Sequence, residues 1–98
     1  MVVMVGALAL TGAALLGDCQ AKGVRRDRCE AYVHGVIDAT TTIAQSAGQA
    51  MLCIPPTVTA DQAVNVITRY IAAAPDEGHM TASSLSLYAL QLAYPCPE

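Results

Sequence analysis

Four cysteines in a chain of 98 residues constrain the fold more than any other feature of this sequence. A chain of this length forms one domain, and a core of that size gives only marginal stability, so cross-links or a partner chain are expected. No two cysteines have the C-x-x-C spacing of zinc or thioredoxin-like sites, which favours two disulfides. Because disulfides persist in oxidising compartments, the sequence predicts an exported protein. The cysteines are Cys19, Cys29, Cys53 and Cys96.

These four cysteines allow three disulfide connectivities. A bond between Cys19 and Cys29 would join the first helical segment to the start of the second. A bond between Cys53 and Cys96 would join the central proline-containing segment to the carboxyl terminus. Loop-closure entropy assigns the two bonds roughly 3 and 4 kcal/mol. Because such values approach the whole stability of a small domain, the disulfides are interpreted as structural cross-links and not as redox centres.

The spacing of apolar residues predicts an all-α fold, a compact bundle of about four helices stapled by two disulfides. The predicted helices cover residues 11–20, 27–47, 59–74 and 81–94. Thr11 is a candidate N-cap for the first helix. Pro55 and Pro56 prevent one continuous helix across the second and third. Thr59 and Gln62 have the spacing of a capping box at the start of the third.

Two of the predicted helices carry a surface of apolar or small residues beyond the stripe that the core of one chain requires. Beside its apolar stripe, the second helix carries a ridge of small residues: Ala31, Gly35, Ala39, Thr42 and Ser46. A glycine within a helix destabilises it by about 1 kcal/mol relative to alanine, which close approach of another helix would offset. The fourth helix is apolar on two sides, with Leu85, Tyr88, Ala89 and Leu92 on one and Leu87, Leu90 and Tyr94 on the other. We therefore predict dimerisation through the ridge or through the far side of the fourth helix.

The residues that could carry chemistry do not assemble a recognisable active site. Glu30, His34 and Asp38 share one face of the second helix and form either a pH-sensitive patch or a solvated surface. Nothing else in the sequence completes a metal site with them. His79 lies in a turn without an evident nucleophile partner, and no glycine-rich phosphate loop is present. We predict a protein that is not an enzyme and that needs no metal or cofactor.

Charge also restricts the partners of this chain. The net charge of −3 and the absence of Phe and Trp argue against nucleic-acid binding. Four basic residues lie together at Lys22, Arg25, Arg26 and Arg28, whereas Asp76 and Glu77 lie in another turn. Such a layout is explained equally well by partner steering and by solvated loops.

The amino-terminal segment has the character of a targeting signal. Residues 2–16 are almost entirely apolar but are too short for a membrane span, which needs roughly 20 residues. The small residues Ala7 and Ala9 suit signal-peptidase cleavage, although no Lys or Arg precedes the segment. We predict that residues 1–9 are the remnant of a signal peptide and that residues 10–98 form a single helical domain without a stable membrane anchor. An intact unusual signal and a buried helix are the alternatives.

The order of several short motifs resembles the Rap/Tai family of immunity proteins. The motifs run from Cys29-Glu30-Ala31-Tyr32-Val33-His34-Gly35-Val36-Ile37-Asp38-Ala39 through Cys53-Ile54-Pro55, Val58-Thr59, Gln62, Tyr70-Ile71 and Pro75 to Ala89-Leu90 and Tyr94-Pro95-Cys96. The resemblance implies a periplasmic, homodimeric helical protein that occludes the active-site cleft of a peptidoglycan amidase toxin delivered by type VI secretion. It also supports pairing Cys19 with Cys29 and Cys53 with Cys96.

The same resemblance assigns roles to individual positions. The matching residues are expected to be architectural and not to contact the toxin: Tyr32, Gly35, Asp38, Pro55, Gln62, Pro75 and Pro95. The resemblance assigns no partner contacts; the residues predicted for an interface come from this sequence alone and are Leu87, Leu90, Tyr94, Asp76, Glu77 and His79. The immunity hypothesis predicts high affinity for one secreted toxin.

Two other functions fit the sequence. A periplasmic acid-stress chaperone of the HdeA type would use Glu30, His34 and Asp38 as a pH trigger and expose Leu87, Leu90 and Tyr94. A structural component of the cell envelope would need no inhibitory activity. An enzyme ranks last, because no nucleophile, base or metal set can be assembled.

Overall fold

The computed structural model describes residues 9–97, and this part of the chain forms four α-helices. The elements are α1 (Gly12–Gln20), α2 (Val24–Ala47), α3 (Ala60–Ala73), a short 3₁₀ turn (Pro75–Glu77) and α4 (Ala82–Ala93). The predicted all-α class is confirmed, and the predicted signal-peptide remnant falls almost wholly outside the described residues. Among residues 9–97, no helix combines the length and the apolarity that crossing a membrane requires.

Side-chain caps begin three of the four helices at the predicted places. The hydroxyl of Thr11 accepts a hydrogen bond from the Ala14 amide at 3.2 Å. The hydroxyl of Thr81 accepts from the Ser84 amide at 3.3 Å. At α3 the predicted capping box is confirmed. The Gln62 amide donates to the Thr59 hydroxyl, and the Thr59 amide donates to the Gln62 side-chain oxygen. These bonds satisfy amides that a helix start otherwise leaves without partners.

The start of α2 differs from the prediction. The helix begins at Val24 and not at residue 27, so most of the basic segment is helical and not a loop. Gly23 precedes it with φ at 71°, a left-handed conformation that glycine adopts without strain. The tight turn at Gly23 completes the reversal of the chain between α1 and α2 within a few residues, which leaves Arg25 and Arg26 in the first helical turn.

The core lies where α1, α3 and α4 meet the first half of α2. Its largest fully buried apolar side chains are Leu15, Ile67, Ile71, Leu85, Leu90 and Val64. Leu90, predicted at an interface, has no exposed surface and belongs to this core, so that assignment is wrong for the folded monomer. Tyr88 and Leu92, predicted on one face with the core residue Leu85, are instead 52% and 72% exposed.

Small side chains explain which side of α4 is buried. Ala82, Ser86 and Ala89 are buried with Leu85 and Leu90, and their size allows neighbouring helices to approach the α4 backbone closely. The hydroxyl of Ser86 has no hydrogen-bond partner there, so its place in the core is set by its volume and not by its polarity. The apolar residues on the other side of α4 remain in solvent.

The first residues of the fold are hydrogen-bonded to the start of α4. The Ala82 amide donates to the Leu10 carbonyl at 2.7 Å, and the Gly12 amide donates to the Met80 carbonyl at 2.8 Å. The Ala13 amide donates to Gly78 at 2.9 Å. Because these acceptors satisfy the free amides at both helix starts, α1 and α4 begin side by side.

The predicted disulfide pairing is confirmed, and the two bonds lie in different environments. Cys19 and Cys29 join the end of α1 to the first half of α2, and both residues are buried. Cys53 and Cys96 join the loop after α2 to the segment after α4, and both are half-buried.

Two glycines give a matched test of packing. A β-carbon added at Gly12 would overlap the Leu85 side chain, whereas one added at Gly35 would meet no atom within 4 Å. We expect Gly12→Ala to lower the free energy of unfolding by about 1–3 kcal/mol through overpacking. Gly35→Ala should raise it by about 0.5–1 kcal/mol through helix propensity. Urea unfolding of both variants beside the parent checks the opposite signs, and equal shifts would contradict the packing at Gly12.

Candidate functional site

Beyond Asp18, two long segments of the chain contain no Lys, Arg, Asp or Glu. They are residues 39–60, which form the second half of α2 and the loop after it, and residues 78–97, which include α4. The Cys53–Cys96 disulfide joins the two segments, and the Gln91 side chain donates to the Met51 carbonyl at 3.2 Å. We call the surface that they share the uncharged face. Its main side chains are Ile43, Met51, Leu87, Tyr88, Gln91 and Leu92.

An open groove of about 430 Å³ runs between α2 and α4 on this face. Its lining residues are Tyr32, Gly35, Val36, Ala39, Thr40, Ile43, Ser83 and Leu87. Gly35 and Ala39 lie one turn apart on α2, so the wall of the groove is low at this point. Among residues 9–97, no helix packs against Gly35, so this part of the chain does not make the close approach predicted for the small ridge.

The groove continues along α4 into two further hollows. Leu87 also borders a hollow with Tyr88 and Gln91, and Gln91 borders the next one with Met51. The large apolar side chains that are exposed among residues 9–97 are Val24, Ile43, Met51, Tyr88 and Leu92. All except Val24 belong to the uncharged face. A connected apolar surface of this kind is typical of a protein-binding site.

The basic residues near the start of α2 are held by acidic groups of the same chain. Arg25 donates to Asp18 at 2.9 Å, and Arg28 lies 3.6 Å from the same carboxylate. Both arginines are more than half exposed, so water screens the ion pairs and each adds little stability. The mostly buried carboxylate of Asp18 nevertheless lowers the local positive charge. This arrangement weakens the hypothesis that the basic segment steers a partner.

Arg26 connects three elements at the same end of the molecule. Its guanidinium donates to the Cys19 carbonyl at 2.9 Å, which satisfies a backbone acceptor at the end of α1. It also pairs with Glu30 at 3.4 Å and with Asp61 of α3 at 3.2 Å. Arg26 therefore has a structural role, and Glu30 is bound to it and not to His34.

The remaining candidate residues for catalysis stay apart. His34, Asp38 and His79 are exposed. The hydroxyls of Ser83 and Ser84 bond with Thr81 at 3.5 and 2.8 Å, within the cap of α4. Within residues 9–97, no group of three or more His, Cys, Asp or Glu side chains is placed to hold a metal ion.

One tyrosine, Tyr70 of α3, has a perturbed titration. The Tyr70 hydroxyl donates to Glu77 at 3.4 Å and joins α3 to the 3₁₀ turn. Desolvation of the phenol, and then the negative charge of Glu77, raise the pKa of Tyr70 above its ordinary value of 10.0. The pair has the character of a structural contact.

The predicted interface residues do not form one surface. Leu87 and Tyr94 border the uncharged face, whereas Leu90 is in the core. The acidic and histidine part of the prediction (Asp76, Glu77 and His79) precedes α4, at the end opposite to Tyr94. The patch that the chaperone hypothesis would expose is therefore divided between the core and the surface.

The residues predicted to be architectural fall into three groups: turns and caps, the wall of the groove, and exposed positions. Several belong to turns and caps: Gln62 in the capping box, Pro75 at the start of the 3₁₀ turn, and Pro55, whose carbonyl accepts from Val58 at 3.0 Å. Tyr32 and Gly35 instead line the groove, while Asp38 and Pro95 are exposed. The sequence prediction missed Ile43, Met51, Tyr88 and Leu92 as a surface, although the absence of charge along residues 39–60 and 78–97 could have indicated it.

Comparison with known proteins adds one positive finding. Residues 11–96 match the protein-family model described as Rap1a immunity proteins. No curated protein and no solved structure matches the chain. The matched range begins at the N-cap of α1 and ends at Cys96, so it contains the four helices and both disulfides.

Proposed function

Because the chain belongs to the Rap1a immunity protein family, we propose that it protects its own cell from a type VI effector by binding a peptidoglycan amidase and covering its active-site cleft. Such a role requires an accessible surface that a partner can dehydrate at low cost. The observation that carries the proposal is the uncharged face, on which Met51, Tyr88 and Leu92 are exposed.

The chemistry of the face suits a tight protein interface. Burying an unpaired charge is expensive, and residues 39–60 and 78–97 contain no Lys, Arg, Asp or Glu that a partner would have to neutralise. Aromatic and large aliphatic side chains are enriched in the central part of interfaces, as Tyr88 and Leu92 would be here. The exposed side chain of Gln91 and the half-buried side chain of Ser83 add polar groups to this face.

We further propose that the protein works in the periplasm as a homodimer. Two disulfides support an oxidising compartment. Leader removal after Ala9 would leave in place the hydrogen bond from the Ala82 amide to the Leu10 carbonyl. The open groove at Gly35 and Ala39 offers a second copy a place where helices can approach closely, as the small ridge of α2 predicts.

A pair of variants tests the proposed function. Leu92 and Val24 are both apolar, helical and well exposed, at 72% and 74%, but only Leu92 belongs to the uncharged face. We expect Leu92→Glu to weaken binding to the cognate amidase by roughly 30-fold or more, the scale of an interface hot spot. Val24→Glu should change it by less than about threefold. Calorimetric titration of the oxidised variants against each amidase effector of the source organism measures the difference.

The same titration contains the outcomes that oppose the proposal. If the oxidised chain bound no amidase and left the peptidoglycan-cleaving activity of every amidase unchanged, the immunity function as stated would be ruled out. Equal weakening by both variants would remove the uncharged face as the binding surface while leaving the function intact. Protection of unfolded proteins at low pH without amidase binding would instead support the chaperone hypothesis.

A further inference from the structure

The two disulfides differ in how far a reductant can reach them. Cys19 and Cys29 are 4% and 0% exposed and lie within the hydrophobic core. Cys53 and Cys96 are half-buried, and Cys96 borders an open hollow beside Met51 and Gln91. Thiol–disulfide exchange requires direct contact between the attacking thiolate and a disulfide sulfur, so access sets which bond reacts first.

The half-buried Cys53–Cys96 bond also joins the least regular parts of the fold. Between the end of α2 and the N-cap of α3, residues 50–58 contain no helix. One hydrogen bond, from Gln91 to the Met51 carbonyl, joins this segment to α4. Leu52, Ile54 and Val58 pack against the core from this segment, and residues 95–97 beyond α4 are likewise without helix. The Cys53–Cys96 bond therefore holds two irregular segments together beneath one end of the uncharged face.

We infer that the Cys53–Cys96 disulfide is a redox-sensitive element that opens before Cys19–Cys29 and controls the order of the end of the uncharged face at Met51. A dithiol reductant gives two electrons and two protons to the bond, which produces two cysteine thiols while the dithiol becomes a disulfide. Residues 50–58 and 94–97 then separate, whereas the helices and the Cys19–Cys29 bond remain. Resting on the proposed function, the inference makes the form with an oxidised Cys53–Cys96 bond the one that binds its partner most tightly.

The order of reduction is tested on the chain alone. The oxidised protein is treated with dithiothreitol at 25 °C, samples are quenched with iodoacetamide, and peptide mass spectrometry counts the alkylated cysteines with time. We expect Cys53 and Cys96 to be alkylated at least about tenfold faster than Cys19 and Cys29, because the latter react only when the core opens. Simultaneous alkylation, or earlier alkylation of Cys19 and Cys29, would overturn the inference.

Hydrogen exchange tests the structural consequence. In the partly reduced protein and in the double variant Cys53→Ser/Cys96→Ser, amide exchange should rise most in residues 50–58 and 94–97, whereas α1 and α3 should exchange faster only by the factor that the loss of global stability sets. The double variant of the buried pair, Cys19→Ser/Cys29→Ser, should instead raise exchange in α1 and the start of α2. If exchange in residues 50–58 and 94–97 rose by no more than the factor seen in α1 and α3, the bond would act only on global stability, and the proposed local effect would be overturned.

Binding supplies the functional comparison. If the oxidised chain binds an amidase, Cys53→Ser/Cys96→Ser should bind at least about tenfold more weakly, on the scale of a lost interface contact. Unchanged affinity would overturn the control of the uncharged face by this disulfide, even if the order of reduction holds. Failure of the oxidised chain to bind counts against the proposed function alone, because the alkylation and exchange experiments need no partner.

Discussion

Replacement of Leu90 by alanine is expected to lower the free energy of unfolding by about 2–5 kcal/mol, because it leaves a cavity in a fully packed core. Leu90 has no exposed surface, and it lies on the buried side of α4 with Leu85 and Ala89. The same replacement at Leu92, which is 72% exposed on the same helix, should change the free energy of unfolding by less than about 0.5 kcal/mol. Leu90 and Leu92 lie within one helical turn, so comparing their alanine variants shows which of the two side chains belongs to the core.

Equilibrium urea unfolding, followed by circular dichroism at 222 nm, measures both changes. Leu92→Ala serves as the control because it removes the same atoms from the same helix. A loss below about 1 kcal/mol for Leu90→Ala would mean that the core around α4 is looser than described. If Leu90→Ala left stability unchanged but abolished self-association, the interface role predicted from the sequence would be correct and its placement in the core wrong.

Removal of the Cys53–Cys96 bond is expected to lower the free energy of unfolding by about 4 kcal/mol in the variant Cys53→Ala/Cys96→Ala. The bond spans a sequence separation of 43, so its loss greatly increases the freedom of the unfolded chain. For the Cys19–Cys29 bond, with a separation of 10, loop closure contributes roughly 3 kcal/mol, and the loss of two buried side chains adds to it.

Thermal unfolding monitored by circular dichroism reports the size of the effect. A loss of about 4 kcal/mol corresponds to a fall in Tm of more than about 15 °C for a domain of this size. The oxidised parent at the same concentration is the reference, which controls for any contribution from self-association. A fall of only a few degrees would show that the unfolded chain is already restricted without the cross-link, contrary to the loop-closure argument.

Local signals explain why most of the helical architecture was predictable. Thr59 and Gln62 define the start of α3 through contacts only three residues apart, so no knowledge of the tertiary fold was needed. Pro55 and Pro56 exclude a helix by their own geometry. The early start of α2 was missed because the cluster of basic residues has the composition of a loop, and the ion pairs of Asp18 and Asp61 that accommodate it come from other helices.

The faces of α4 show what local signals leave open. Leucines occur on two sides of this helix, and periodicity alone does not decide which side is buried. The buried side of α4 is the one that contains the small residues Ala82 and Ser86, where other helices can approach the backbone closely. That approach is a property of the tertiary fold and not of the local sequence. The candidate binding surface was missed for the same reason, since Tyr88 and Leu92 were placed with Leu85 on one face.

The hydrogen bonds that join the start of α1 to the start of α4 also bear on how the chain is delivered. Leu10 and Gly12 find their partners in Ala82 and Met80, and Cys53 finds its partner in Cys96. A chain that leaves the ribosome amino end first therefore cannot complete these contacts until α4 has been synthesised. For an exported chain this delay is useful, because a translocation channel accepts unfolded polypeptide, and the fold closes only once both ends of the sequence reach the same side of the membrane.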